Sequence, residues 1–388
     1  MVDDKGGMIP ELSAVRDGGF MNAHWLPEFR SNSGKPFSEK NHAAFWHVDL
    51  LYSIAGNFPC SPNFGPGGEL DGVAHPPHGW TANLTWKHCG AGVDEESGAA
   101  WAVSTLRSPD KKLPLRWRKI DVVMPGSPVH YSSLEISNSG EADADINVGW
   151  HNTIGAPFLQ AGCRLSVSAD RFAVAPSGGE FDLTGRLALG AEFKSLSKAP
   201  LRTGKTCDLR TVPGMIGFTD LITGPVPRRA PLGWTAVANP VLGYAYVCFF
   251  PGPEAAGDGG IALAFNDLWM QYGGRNFTPW AAYEGGTDRT FCLGTENATG
   301  AYANGLDYAR QTKELLGAPT TVRIPGKGKR TLRYGTLLAP YSGGTLDGGV
   351  VSVEPEKGKI ALAGTGKTVR VSADASFAVL ASLERRLP

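Results

Sequence analysis

The chain predicts an all-β protein, one large antiparallel β-sandwich with a single short helical insertion, and three observations carry that expectation. Short runs in which apolar and polar residues alternate recur along much of the 388 residues, the period that turns every second side chain of a strand toward a core. Turn formers separate the runs: 51 glycines and 28 prolines beside 42% hydrophobic residues supply both corners and core for a many-stranded fold. Only one stretch reads as a convincing helix, about residues 304–316, where Leu306, Ala309, Leu315 and Leu316 can share a face and Gly317 and Pro319 supply the stop.

The elements justify themselves in order. Residues 1–38 are expected to form an N-terminal arm, rich in Gly, Asn, Ser and Pro, in which only residues 20–26 are apolar enough to dock on a core. Residues 39–345 are the expected sandwich domain. It opens on the apolar stretch 42–52, passes a glycine and proline corner at 56–65, and reaches a loop, 74–86, that sets His75, His78, Trp80 and Trp86 around the pair Pro76-Pro77. The prolines stiffen this loop, Gly79 permits an unusual dihedral, and a strand is expected from 82 to 89. Residues 115–122, 133–137 and 164–168 alternate cleanly, and further strands are expected at 242–250, 261–265, 290–293, 320–324 and 331–338. Residues 346–388 read as three or four strands that either complete the sandwich or hang from it. No fixed repeat is visible, which argues against a propeller or solenoid.

Charge and composition narrow the partners. Lys plus Arg equals Asp plus Glu at 37 each, so no global field draws the chain to nucleic acid or an anionic membrane, and a small molecule recognised locally is the expected partner. No apolar run approaches 18 residues and no basic-then-apolar leader opens the chain, so a cytoplasmic location is the default expectation. Six cysteines without a Cys-x-x-Cys pair are expected to be reduced thiols packed in strands.

Several chemistries fail on their spacing. Residues 364–368 imitate the end of a phosphate loop, but Ala361 stands where its first glycine belongs, and a hairpin turn is the better reading. There is no Gly-x-Ser-x-Gly elbow. His75-x-x-His78 and the pair His42 and His47 bring imidazoles close, yet without Cys pairs or a His-Glu-x-x-His helix no metal is expected. What remains is His78 on its stiff corner, His151 at a strand end in Gly149-Trp150-His151, and Glu296 directly after the apolar run 291–293. A carboxylate there is costly to hide, so it should face a cleft. Two imidazoles and a carboxylate suit paired general acid and general base work. Trp80, Trp150 and Trp280, with His75 from the first loop, are candidate contacts for a sugar, whose apolar face stacks on aromatic rings.

The order of these motifs resembles the aldose 1-epimerase (galactose mutarotase) family. The resemblance rests on His78-Gly79-Trp80, on Leu134-Glu135-Ile136-Ser137-Asn138 leading to His151, on Cys292-Leu293-Gly294-Thr295-Glu296-Asn297, and on the Pro325-Gly326 turn after residues 322–324. It spans roughly residues 57–338 and marks a divergent member: family members carry an arginine ahead of the first histidine, where Gly56-Asn57-Phe58-Pro59 holds no basic residue. The resemblance implies a galactose mutarotase-like supersandwich holding a sugar in a shallow cleft on one sheet. It implies Glu296 as base toward the anomeric hydroxyl, His151 as acid toward the ring oxygen and His78 as the orienting group, with no metal or organic cofactor. Asp220, with Asp267 as rival, is the implied acidic sugar contact. The Arg228-Arg229 pair could grip an anionic group on the sugar. Two other readings share the fold: a carbohydrate-binding or sensor protein without catalysis, and a glycoside hydrolase or lyase. A hydrolase needs a second carboxylate, for which Glu284 is the candidate.

Overall fold

The computed structural model describes residues 6–16, 18–26, 49–177, 185–276, 280–281 and 289–387. Two antiparallel sheets face each other. The first has seven strands in the order Glu192–Phe193, Phe172–Val174, Phe218–Pro225, Phe265–Tyr272, Phe291–Ala298, Gly149–Gly155 and Asn57–Cys60. The second has eight, in the order Arg164–Val167, Leu232–Asn239, Tyr244–Pro251, Lys329–Pro340, Val129–Asn138, Leu115–Val123, Ala100–Arg107 and Lys87–Val93. This is the all-β sandwich that the alternation predicts.

Period two decides which side chains meet between the sheets. Trp150, Ile154, Leu268 and Leu293 of the first sheet are buried in clusters with Trp117, Leu134, Val237 and Tyr246 of the second. Burying each such side chain favours folding by roughly 1.5–3 kcal/mol. The alternate positions of the first sheet, among them Phe58, His151, Trp269 and Glu296, therefore turn to its other face. There Leu51, Ile54, Trp25 and Trp280 gather over them.

The outer face of the eight-stranded sheet is covered too. Strands Ser352–Glu356, Lys359–Ala363 and Thr368–Ser372 form a sheet of their own, and helix Ala378–Arg386 follows. Ile360, Leu362, Phe377, Leu380 and Leu383 pack on Val103, Ile120, Val247 and Phe249. Glu384 fixes the helix through Arg333, 2.6 Å away. The tail was expected to be strands throughout. Residues Ala378–Arg386 are instead helical because Leu380 and Leu383 lie one turn apart on a face that meets this core.

Other boundaries move for local reasons. In place of a strand over 82–89 the chain makes helix Gly79–Asn83 and then strand Lys87–Val93. Asn83 closes that turn by donating to the carbonyls of Pro77 and Gly79 at 2.7 and 2.6 Å. The run 261–265 becomes strand only at Phe265. The expected helix over 304–316 is Gly305–Thr312, ended by left-handed Lys313, after which a small hairpin pairs Glu314–Leu315 with Ala318–Pro319. Strands Phe218–Pro225 and Leu232–Asn239 escape detection because nearly every position is buried, so alternation is lost. The described part of the N-terminal arm packs on the sandwich. Met21, Ala23, His24 and Trp25 are buried, Phe20 is exposed, and the Trp25 N–H donates to the Thr153 carbonyl at 2.9 Å.

Candidate functional site

His78 stands where the chain is most constrained. It follows Pro76-Pro77, its N–H donates to the Gly65 carbonyl at 2.8 Å, and its own backbone is left-handed at φ 57°. Gly79 must be glycine: at φ +74° a Cβ would lie 2.3 Å from the Ser61 carbonyl oxygen. The imidazole, 5% exposed, tilts against Phe64 at 5.5 Å between ring centroids and meets His151 edge-on at 5.0 Å.

His151 comes from the middle of strand Gly149–Gly155. Its ring stacks on Phe58 of the neighbouring strand, centroids 4.6 Å apart and planes 12° off parallel. Nδ1 lies 3.2 Å from the Thr153 hydroxyl, and Nε2 lies 3.3 Å from Glu296 Oε1. Nε2 is thus the ring nitrogen that faces the carboxylate, and in the protonated ring the Nδ1–H donates to the Thr153 hydroxyl.

Glu296 arrives from the other side. Strand Phe291–Ala298 pairs with Gly149–Gly155 in the register Trp150↔Asn297 and Thr153↔Gly294, which sets Glu296 directly across from His151. Its side chain lies over Gly294, where a Cβ would come within 2.8 Å of Oε1 and 3.0 Å of Trp269 Cβ. Behind the pair, on the face between the sheets, Asn152 Nδ2 donates to the Thr295 hydroxyl at 3.1 Å. The Tyr246 hydroxyl donates to Asn152 Oδ1 at 2.6 Å and lies 3.1 Å from His24 Nε2. These bonds join the two strands at the residues adjoining His151 and Glu296.

His78, His151 and Glu296 line one narrow cleft with Leu51, Ile54, Leu221, Trp269, Arg275, Trp280, Tyr302 and Ala303, around a cavity of about 30 Å³. Burial holds His78 down at about 4, and burial together with the charge His78 can carry holds His151 well below the ordinary imidazole value. Asp267, directly across the ladder from Glu296, moves the other way: burial raises it to about 7. Its Oδ1 accepts the Tyr302 N–H at 2.8 Å, while Oδ2 is buried without a hydrogen-bond partner among the described residues. The cleft thus offers a carboxylate beside an imidazole, with aromatic walls around them, an arrangement suited to moving protons on a small polar ring.

Not every expected contact is here. Asp220 lies off the cleft: it accepts from the backbone N–H groups of Arg186 and Leu187 at 2.8 and 3.1 Å and pairs with the Arg186 guanidinium at 2.7 Å. Strand alternation explains it, since Leu221 takes the cleft side. Trp80 and Trp150 are corrected as well. Trp80 sits edge-on to Trp117 in the core, and Trp150 stacks on Tyr334 between the sheets at 4.9 Å. His75 ends the hairpin strand Val73–His75, 5.7 Å from Trp80, and is not part of the cleft wall. Trp280 does line it. Arg228 is exposed and pairs with Glu254 at 2.9 Å. His42, His47 and Glu284 lie outside the described residues, among which no group of three or more His, Cys, Asp or Glu could hold a metal ion.

Sequence reasoning missed several lining residues, Trp269 and Tyr302 among them, and also the charged Arg275. Arg275 follows strand Phe265–Tyr272 through Gly273-Gly274, and both glycines are required. Gly273 has φ +78°, and a Cβ on Gly274 would come 2.3 Å from Thr219 N. A double glycine that ends a buried strand and precedes an arginine was the available signal.

Comparison of structures gives this architecture its relatives. A candidate aldose 1-epimerase of Klebsiella pneumoniae subsp. pneumoniae matches with a TM-score of 0.59 and 14% identity, over 88% of this chain and 76% of that one. A candidate aldose 1-epimerase of Escherichia coli K12 matches at 0.51 and 13%, over 87% and 94%. The GalM/aldose epimerase homologue of Caenorhabditis elegans matches at 0.51 and 10%, again over 87% and 94%. No protein-family model and no curated protein matches by sequence. The chain therefore has the galactose mutarotase-like fold, at wide sequence divergence. Among the described residues no helix is long and apolar enough to cross a membrane.

Proposed function

We propose that the protein interconverts the anomers of a sugar by acid and base catalysed ring opening and closure. The observation that carries this reading is the meeting of His78, His151 and Glu296, widely separated in sequence, in one aromatic-walled cleft, with His151 Nε2 3.3 Å from Glu296 Oε1. Glu296 takes the proton of the anomeric hydroxyl while His151, in its protonated form, gives its Nε2 proton to the ring oxygen and keeps the one on Nδ1. The bond between the anomeric carbon and that oxygen breaks, leaving an aldehyde. After rotation about the adjoining carbon–carbon bond the ring oxygen attacks the other face, His151 recovers its proton, and Glu296 returns the other one. The pair shares one transferable proton throughout, and the sugar enters between the two groups as their contact opens. His78, neutral at physiological pH, orients the sugar by hydrogen bonding. Trp280 and Trp269 supply the aromatic wall, and the chemistry calls on no metal or organic cofactor.

The test is anomer exchange by saturation-transfer NMR over a panel of neutral and acidic aldoses. Glu296→Gln should slow exchange roughly 10²- to 10⁴-fold, with retained fold checked by circular dichroism. Exchange that survives the substitution unchanged removes Glu296 from the mechanism, and no exchange with any sugar leaves at most a binding protein.

A further inference from the structure

We infer that two buried tyrosines of the second sheet, Tyr246 and Tyr334, are positioning residues for the acid and base pair: they hold the strands that carry His151 and Glu296 at the spacing the reaction uses. The inference rests on the acid and base reading of the cleft and adds to it the residues that keep the pair in place.

The register that sets His151 opposite Glu296 also sets Asn152 opposite Thr295 on one side of them and Trp150 opposite Asn297 on the other. Period two turns these flanking pairs away from the cleft, toward the second sheet. There Tyr246 and Tyr334, from the neighbouring strands Tyr244–Pro251 and Lys329–Pro340, take hold of them. The Tyr246 hydroxyl donates to Asn152 Oδ1 at 2.6 Å, and Asn152 Nδ2 carries the tie across the ladder to the Thr295 hydroxyl at 3.1 Å. The Tyr334 hydroxyl donates to Asn297 Oδ1, and its ring stacks on Trp150 at 4.9 Å. Asn297 Nδ2 then donates at 2.8 Å to Asn266 Oδ1, opposite it on strand Phe265–Tyr272. Every residue next to His151 and Glu296 along both strands is therefore fixed, directly or through one more bond, to a phenol of the other sheet.

The choice of residues points the same way. Asn152, Thr295 and Asn297 have no exposed surface, on a face where Ile154, Leu268 and Leu293 are apolar. A buried amide or hydroxyl is costly unless it is hydrogen-bonded, and an apolar side chain of the same size carries no such cost. What satisfied polar contacts add is geometry, since each bond has a preferred length and direction that apolar packing lacks. Burial raises both phenols well above their ordinary value, so each stays a neutral donor. Proton transfer needs that geometry, because a misplacement of about 1 Å can cost a reaction roughly 10²-fold.

The experiment uses Tyr246→Phe and Tyr334→Phe, each of which removes one hydroxyl and keeps the ring, with Tyr131→Phe as control. Tyr131 is equally buried, but it lies on the outer face of the second sheet with Phe377, where its hydroxyl accepts the Asp374 N–H at 2.6 Å. Once circular dichroism has confirmed the fold of each protein, two readouts are taken: kcat and KM for anomer exchange, and an NMR titration of the His151 ring, identified by its loss in His151→Gln. Tyr246→Phe and Tyr334→Phe should each lower kcat roughly tenfold with KM within about twofold of the wild type, because both tyrosines lie on the far side of the sheet from the sugar. The His151 ring should titrate higher, nearer the ordinary imidazole value, since slackened strands let water reach a ring that burial depresses. Tyr131→Phe should do neither. A His151 titration unmoved by both substitutions, or moved as far by Tyr131→Phe, overturns the inference. So does a kcat unchanged in both while Glu296→Gln slows exchange, which spares the acid and base reading. With exchange absent for every sugar in the wild type that reading fails, and the titration decides by itself: movement in the two variants and not in the control still supports positioning of the pair, and no movement overturns it. A response to one tyrosine alone assigns the role to that residue and withdraws it from the other, and either variant suffices should the other not fold.

Discussion

At the scale of the residue, the proposed chemistry rests most on His151, whose surroundings set the pH at which its ring changes charge. Burial and the neighbouring His78 hold its imidazole well below the ordinary value, so the ring loses its proton at lower pH than a free histidine. A reaction needing that proton on His151 and an ionised Glu296 should have an alkaline limb in kcat/KM below pH 6.5, the unperturbed imidazole value. His78→Gln removes the neighbour that can bear like charge and should move the limb upward, even as it slows the reaction. The measurement is the pH profile of anomer exchange for both proteins, and a limb well above pH 6.5 in the wild type would contradict this account of His151. His78 and His151 were legible because each stands beside glycines in the sequence, although His151 lies in mid-strand and stacks on Phe58. Asp220 was misassigned for a reason one residue wide: alternation along Phe218–Pro225 gives Leu221, not Asp220, to the cleft.

At the scale of the element, the strand Phe291–Ala298 positions the carboxylate, and Gly294 lets it lie down. A side chain at 294 would come within 2.8 Å of Glu296 Oε1 and 3.0 Å of Trp269 Cβ. Gly294→Ala should therefore displace Glu296 or Trp269, cutting kcat/KM by tenfold or more and costing about 1–3 kcal/mol of stability. Denaturant unfolding and anomer exchange on the same variant check both. Normal activity would show that Glu296 does not need its observed pose. The apolar run 291–293 followed by a glutamate made this element readable, whereas the role of Gly294 was not readable. Nothing in a linear pattern says that a side chain two residues later folds back over its own strand.

At the scale of the whole molecule, buried histidines make the fold sensitive to acid. His24 is held down to about 3 and His78 to about 4, against 6.5 for an unperturbed ring. Between those values the unfolded chain binds more protons than the folded one, so stability falls as pH drops from about 6.5 toward 4. Asp267, raised to about 7, has the opposite sign: its contribution is full below its ordinary value of 3.8 and is lost as pH rises through 7. The melting temperature should fall from pH 6.5 to pH 4.5, and a rise over that interval would show that the histidines do not govern it.

The sequence by itself determined the all-β class, because alternation and turn residues are local properties, and it singled out two histidines and a glutamate whose neighbours gave them nothing else to do. Only the tertiary structure decided that the three meet, that Trp80 and Trp150 belong to the core, and that Arg275 enters the cleft. The reason is physical: pairing register and strand order fix which face a residue shares and with whom. Those are contacts between segments far apart along the chain, which no local period encodes.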